Sequence, residues 1–341
     1  MILYQKTSQL RVRPLTAPEP PFWCASIIAP YSSRRSTPLG IDYLALRASG
    51  SPKLEVNVCD RVVDELERSR HLPGPVLIEA TSGAEDVFRR GEEALEYCSN
   101  QNLPTVLLVS TSGALPSRVH TESRLAIAAW PPDPVRLETL FSQASDRGFR
   151  WGVLVPVMFP VTTELETLER IVTAAAAAGA SCLGSVTIEG DATARQVIAQ
   201  SLDLSPTDDR YAMLFHSDLE PIHLSTERHV AALATEHGLA DTLLLPDAEA
   251  RTNWNASALL TLTASRMIAM ELDLDLAGLI ARSARLVAEL DKPLTRIAEA
   301  ASLGIVGGLD ETSVEILHEW LEGTEASFAN YVNEQWRLRR A

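Results

Sequence analysis

Cysteine is scarce in this chain: four stand among 341 residues, at Cys24, Cys59, Cys98 and Cys182, far apart and with no CxxC pair. That spacing excludes a disulfide framework and a thiolate zinc site, and makes buried free thiols the expectation. No apolar run approaches the roughly 20 residues that span a bilayer. The start, "MILYQKTSQLRVRP", has no charged segment leading into an apolar one. The reading is a cytoplasmic chain with no membrane partner.

Positive charge is in deficit. Thirty Lys and Arg against 45 Asp and Glu give a formal net charge of −15, spread along the chain rather than packed into one block. Such a field disfavours phosphate backbones, so it argues against nucleic acid and for a small molecule or a protein as partner. Arg11, Arg13, Arg34 and Arg35, near the N-terminus, read as a solvated tail and turn. GxSxG, HExxH and DxDxDG motifs are missing, which removes the usual footholds for hydrolase and zinc-protease chemistry. "GIVGG" and "TSGA" are glycine turns without the GxGxxG or GxxxxGK[ST] context of a phosphate cradle.

What is present is a globular composition, 46% hydrophobic and 22% charged, laid out as strand–helix alternation. Short apolar runs predict strands: "SIIAP" from Ser26, "KLEVNV" from Lys53, "VLIEAT" from Val76, "TVLLVST" from Thr105, "LAIAAW" from Leu125, "WGVLVPV" from Trp151, "CLGSVTIE" from Cys182, "AMLFH" from Ala212 and "TLLLP" from Thr242. Amphipathic stretches predict helices over 60–68, 86–98, 134–147, 163–178, 192–202 and 226–237. Gly179 closes the alanine-rich helix, where a left-handed cap is expected. Alternation of this kind means parallel strands with crossover helices.

The fold class expected is α/β, a parallel (β/α) barrel of partial TIM type followed by a helical region. Residues 1–21 read as an N-terminal arm, 22–252 as the barrel core and 253–341 as helices only. Within the last, Leu303, Ile305, Val306 and Leu309 loosely suggest a helix-turn-helix with Gly307 and Gly308 as the turn, set against an acidic "EILHEWLEGTE".

Between residues 22 and 190 the order of features resembles the radical SAM barrel proteins, in particular their spore photoproduct lyase-like branch. The segments concerned are "WCASIIAPYSSRR", "GIDYLALRA", "KLEVNVCDRVVDEL", "TSGAEDVFRRGEEALEYC", "TVLLVST", "LAIAAWPPDPVRLETL" and "GVLVPVMFPVTTELETLERIVTAAAAAGA". The resemblance implies a partial barrel and S-adenosylmethionine as ligand. The family's CxxxCxxC motif is degenerate here: with Cys24 on the first cysteine, Ile28 and Tyr31 occupy the other two positions. One thiolate cannot hold a site-differentiated [4Fe-4S] cluster, so the sequence argues against that cofactor. The family's Thr-Lys strand end appears as Ser110-Thr111, and Glu85 is the residue carried over in "TSGAED".

Sites in parallel barrels assemble at the C-terminal ends of strands. Those ends offer Glu85, Ser110, Thr111, Asp133 and Asp247 for ligand binding, alongside Trp130 and Met158. The stretch "LFHSDLEPIH" offers His216 as a base oriented by Asp218, with Glu220 and His223 close enough in sequence for a divalent metal. Glu189 reads as a general acid, a ribose or amine ligand, or a carboxylate opposing a helix dipole. The readings that follow are a cluster-free barrel binding a nucleoside-like ligand, a scaffold docking a partner through its helices, a metal-dependent lyase or isomerase on His216, Asp218 and Glu189, and a radical enzyme with unconventional cluster ligands.

Overall fold

The computed structural model describes residues 3–5, 12–14, 26–28, 53–55, 76–80, 85–100, 105–111, 113–118, 123–130, 133–157, 164–187, 195–196, 199, 204–214, 220–240, 253–288, 290, 292–300, 303–324 and 326–340. The protein is an α/β sheet followed by a helical bundle. The strands are β1 (Leu3–Gln5), β2 (Val12–Pro14), β3 (Ser26–Ile28), β4 (Lys53–Glu55), β5 (Val76–Ala80), β6 (Thr105–Ser110), β7 (Ser123–Ala128), β8 (Trp151–Val157) and β9 (Cys182–Thr187). One sheet runs in the order β2-β3-β5-β6-β7-β8-β9, and a second pairs β1 with β4. From β3 to β9 every pairing in the larger sheet is parallel and each strand lies beside the next of that sheet.

The sheet is open among the described residues, where the sequence suggested a barrel. Closing a barrel requires both edges to be available for pairing with each other. The outer edge of β3 is taken by β2, which runs antiparallel to it with Val12 opposite Ile28. At the other edge, Leu183 N donates to Ala240 O (2.9 Å) and Ala240 N to Ser181 O (3.0 Å). The expected strand from Lys53 forms as β4 but sits with β1 outside the main sheet, and β1 and β2 give the expected N-terminal arm two pieces of strand.

Helices α1 (Glu85–Asn100), α2 (Pro134–Asp146), α3 (Leu165–Ala177), α4 (Asp209–Leu214) and α5 (Glu220–Glu236) accompany these strands. Right-handed crossovers between strands laid down in one direction put their helices on one face. The core shows this face directly: Ile78, Leu107, Val109, Leu125, Ile127, Trp151, Val153 and Leu183 pack with Leu95, Leu137, Phe141, Ile171, Val172 and Leu233 of the helices. Alternate strand residues point to the opposite face, and they too are buried: Leu108, Ala126, Ala128, Leu154 and Cys182. Burial on both faces explains why these strands read as unbroken apolar runs. The β6–β7 crossover passes through Leu115 and Pro116, whose carbonyls accept from Arg147 (3.4 and 3.1 Å). Gly179 has φ +89°, the left-handed cap anticipated for α3.

The strand expected from Ala212 is a helix instead. Asp208 Oδ1 accepts from Arg210 N (2.8 Å) and Tyr211 N donates to Asp208 O (2.9 Å), so a capped turn leads Tyr-Ala-Met-Leu into α4. Short apolar runs carry no periodicity that separates strand from helix, and Ala, Met and Leu are strong helix formers.

The C-terminal region is helical, as read. Helices α6 (Asn253–Ala269), α7 (Leu274–Ala288), α8 (Leu294–Ala300), α9 (Glu311–Glu322) and α10 (Ser327–Arg340) enclose their own core around Leu260, Met267, Ile280, Val287, Ile316, Leu317, Val332 and Trp336. Asp310 caps α9 and Gly323, at φ +82°, ends it. Residues 303–310, with a 3-10 turn at Leu303–Ile305, lie between α8 and α9, which is longer than the three or four residues of a helix-turn-helix. No helix among the described residues is long and apolar enough to cross a membrane.

Candidate functional site

Parallel α/β sheets bind ligands beyond the C-terminal ends of their strands, because the crossover loops meet there. At that end β6 finishes in Ser110, whose register partner is Ala128; Ala128 in turn pairs with Leu154, and Leu154 with Gly184. One step back lie Leu108, Ala126, Gly152 and Cys182 in the same fashion. Six of these eight side chains are small, and the face they form, opposite α1, α2, α3 and α5, is buried.

The turn after Ser110 is tightly built. Gly113 N donates to Ser110 O (2.9 Å), and a Cβ on Gly113 would lie 3.1 Å from that oxygen, so a side chain there would press on the Ser110 carbonyl. Thr111 N donates to Trp130 O (3.2 Å), which extends the β6–β7 pairing past the strand ends and brings Ser110, Thr111 and Trp130 together. All three are buried. Consecutive residues of a paired chain face opposite sides of the sheet, so Ser110 lies on the face away from the helices, where its hydroxyl can donate and accept hydrogen bonds.

The other sequence candidates separate into three groups. Glu85 is the first residue of α1. Asp133 is the N-cap of α2: its Oδ1 accepts from Arg136 N (3.2 Å), with Pro134 at the first helical position, so this carboxylate serves the helix end. Cys24, Glu189, His216, Asp218 and Asp247 lie outside the described residues, whereas Glu220 and His223 fall in α5 rather than in a loop. Among the described residues no group of three or more His, Cys, Asp or Glu is placed to hold a metal ion.

The structure adds a feature that the sequence reading missed. Arg210 pairs with Asp208 (3.1 Å) and interacts electrostatically with Glu164, the residue that precedes α3. Hydrogen bonds and charge from Arg210 hold the Asp208 carboxyl below the usual carboxylate range. The signal lay in "SPTDDR", an N-cap acid followed by an acidic first turn.

A surface cleft of about 260 Å³ lies between α1 and the β6–β7 crossover, lined by Arg89, Glu92, Glu96, Ser117 and Arg118. Its charges serve the fold: Glu92 accepts from Ser117 N (2.6 Å) and Glu96 pairs with Arg118 (3.3 Å). No protein-family model, curated protein or solved structure matches this chain.

Proposed function

We propose that the chain is a cluster-free relative of the radical SAM barrels that binds a small, nucleoside-like ligand at the C-terminal end of its sheet, in an accessory or non-radical role. The observation that carries this reading is the strand order. Six parallel strands, β3 to β9 without β4, follow one another across the sheet with no reversal. A doubly wound nucleotide-binding sheet reverses at a switch point, whereas a partial barrel is wound in one direction. On this reading the open sheet is the wall of an unclosed barrel, and its surface of small side chains is the interior.

The residues do not fit an iron-sulfur cluster of the family's kind. Ile28, at the second cysteine position, has no thiol and is a paired strand residue, aligned with Val12 and Ile78. Ser110, at the end of β6 on the face of small side chains, has a hydroxyl suited to a ligand rich in hydroxyl and amine groups.

The test has two parts. Anaerobic purification with iron and sulfide reconstitution, followed by a visible absorbance scan and iron quantification, is expected to leave the protein colourless. Calorimetric titration with S-adenosylmethionine is expected to show saturable binding that Ser110→Val weakens about tenfold or more, the scale of one lost hydrogen bond to a ligand. A stoichiometric cluster would overturn the cluster-free reading, and no binding of S-adenosylmethionine or adenosine would overturn the ligand class.

A second reading, a non-catalytic scaffold, rests on the helical region. Its core is separate from that of the sheet, and α10 leaves Tyr331 and Leu338 exposed at a spacing of seven residues. Such residues lie on one side of a helix and suit a partner protein.

A further inference from the structure

Helices α2 and α3 follow β7 and β8, α5 packs on β9, and the first turn of each carries an aliphatic residue left in water. Val135 is the second residue of α2 and 67% exposed; Leu165 is the first of α3 and 50% exposed; Ile222 is the third of α5 and 36% exposed. First turns favour polar and acidic residues, which satisfy free amides and the helix dipole. Three exposed branched side chains in three first turns run against that local preference. The helices are neighbours, α2 packing on α3 and α3 on α5 with axes about 10 Å apart, so the three residues occupy the first turns of adjacent helices.

The border of these residues is acidic. Asp133, Glu164 and Glu166 outnumber Arg136, in a chain whose net charge is already −15. Nucleic acids and anionic membranes are repelled by such a field, while a cationic polypeptide is drawn to it. Aliphatic anchors about one helix diameter apart match apolar side chains repeated along one side of an amphipathic segment.

We propose that this edge is a docking surface for a basic, amphipathic polypeptide segment, with Val135, Leu165 and Ile222 as the apolar anchors and the carboxylates around them selecting for Lys and Arg. The site is distinct from the small-ligand site at Ser110, so either can fail without the other.

The experiment uses the full chain and a fluorescently labelled amphipathic peptide made of Leu and Lys, read by fluorescence anisotropy. Saturable binding is expected, weakening several-fold as salt rises from low to high. The uncharged triple variant Val135→Gln, Leu165→Gln, Ile222→Gln should bind at least tenfold more weakly, and the peptide with Glu in place of Lys should bind the parent chain at least tenfold more weakly. Leu279→Gln and Ile305→Gln, at exposed apolar residues of α7 and of the 3-10 turn, should leave the affinity unchanged, and circular dichroism should be the same for all variants. Absence of saturable binding, equal affinity for the triple variant, or an equal loss in the two control variants would overturn the proposal.

Discussion

Ser283 Oγ, on α7, donates to Asp310 Oδ2 at 2.8 Å, while the other oxygen of that carboxylate caps α9 by accepting from Ser313 N at 3.0 Å. Ser313 Oγ donates to the same carboxylate, and both serines are fully buried. Asp310→Ala therefore removes a cap worth about 1 kcal/mol and strands buried hydroxyls at about 1–3 kcal/mol. The expected loss of stability is about 2–4 kcal/mol in urea denaturation.

The same group makes stability pH-dependent. Burial opposes the charge on Asp310, but the bonds from Ser313 and Ser283 outweigh it and hold the carboxyl below the usual carboxylate range. A carboxyl with a depressed folded-state value stabilises the fold when ionised. Its contribution is complete above the unfolded value, near pH ~4, and is lost as pH falls through the lower folded value. Asp310→Asn should therefore be less stable than the parent at neutral pH, with the gap narrowing in acid. An unchanging gap would show that the carboxylate's charge plays no part.

Asn253, the first residue of α6, joins that helix to the connection between α7 and α8 and to the start of α8. Its Nδ2 donates to Leu290 O (3.2 Å) and Lys292 O (3.0 Å), and its Oδ1 accepts from Leu294 N (2.7 Å) at the start of α8. Asn253→Ala should cost about 1–2 kcal/mol, the scale of a lost cap, whereas Asn253→Asp should retain the cap and lose the two donated bonds. Hydrogen exchange should locate the loss at the first turn of α8.

Cys98 lies in the core of α1 against the sheet, and burial pushes its thiol up to about 12. The thiolate is the reacting species, and three units above the ordinary value make it about a thousandfold rarer at a given pH. Alkylation of the native protein followed by peptide mapping should leave Cys98 unmodified, and denaturation should expose it to rapid labelling.

The strands β5 to β9 were legible because burial on both faces makes them apolar throughout, and α2 was legible from Asp133 and Pro134. Closure of the sheet was not legible: it turns on β2 pairing antiparallel with β3, and a three-residue strand has no periodicity to declare its direction. Helix α4 was misread because "AML" suits either element, and the deciding contact, Asp208 to Arg210, is a polar cap upstream of the apolar run. Of the candidate site, Ser110 and Thr111 came from reading strand ends. The exposed Val135, Leu165 and Ile222 could not, since those residues are thirty or more positions apart and share one edge only when the crossovers place α2, α3 and α5 side by side.

The aromatic pair at the centre of the sheet gives the sharpest test of the fold. Phe141 of α2 stacks on Trp151 of β8, with ring centroids 5.1 Å apart and planes 24° from parallel, and both are 1% exposed. Trp151 Nε1 donates to Ser145 Oγ at 3.2 Å, and Ser145 Oγ donates to Ala178 O, which links the end of α2 to the turn between α3 and β9. Phe141→Ala should cost about 3–5 kcal/mol through transfer and cavity terms, and Ser145→Ala about 1–3 kcal/mol through two orphaned partners. The pair is in contact, so Phe141→Ala and Trp151→Phe should couple by about 0.5–1.5 kcal/mol in a double-mutant cycle. A coupling of zero would mean that α2 does not pack on β8 through this stack, and the helix-covered face of the sheet would have to be redrawn.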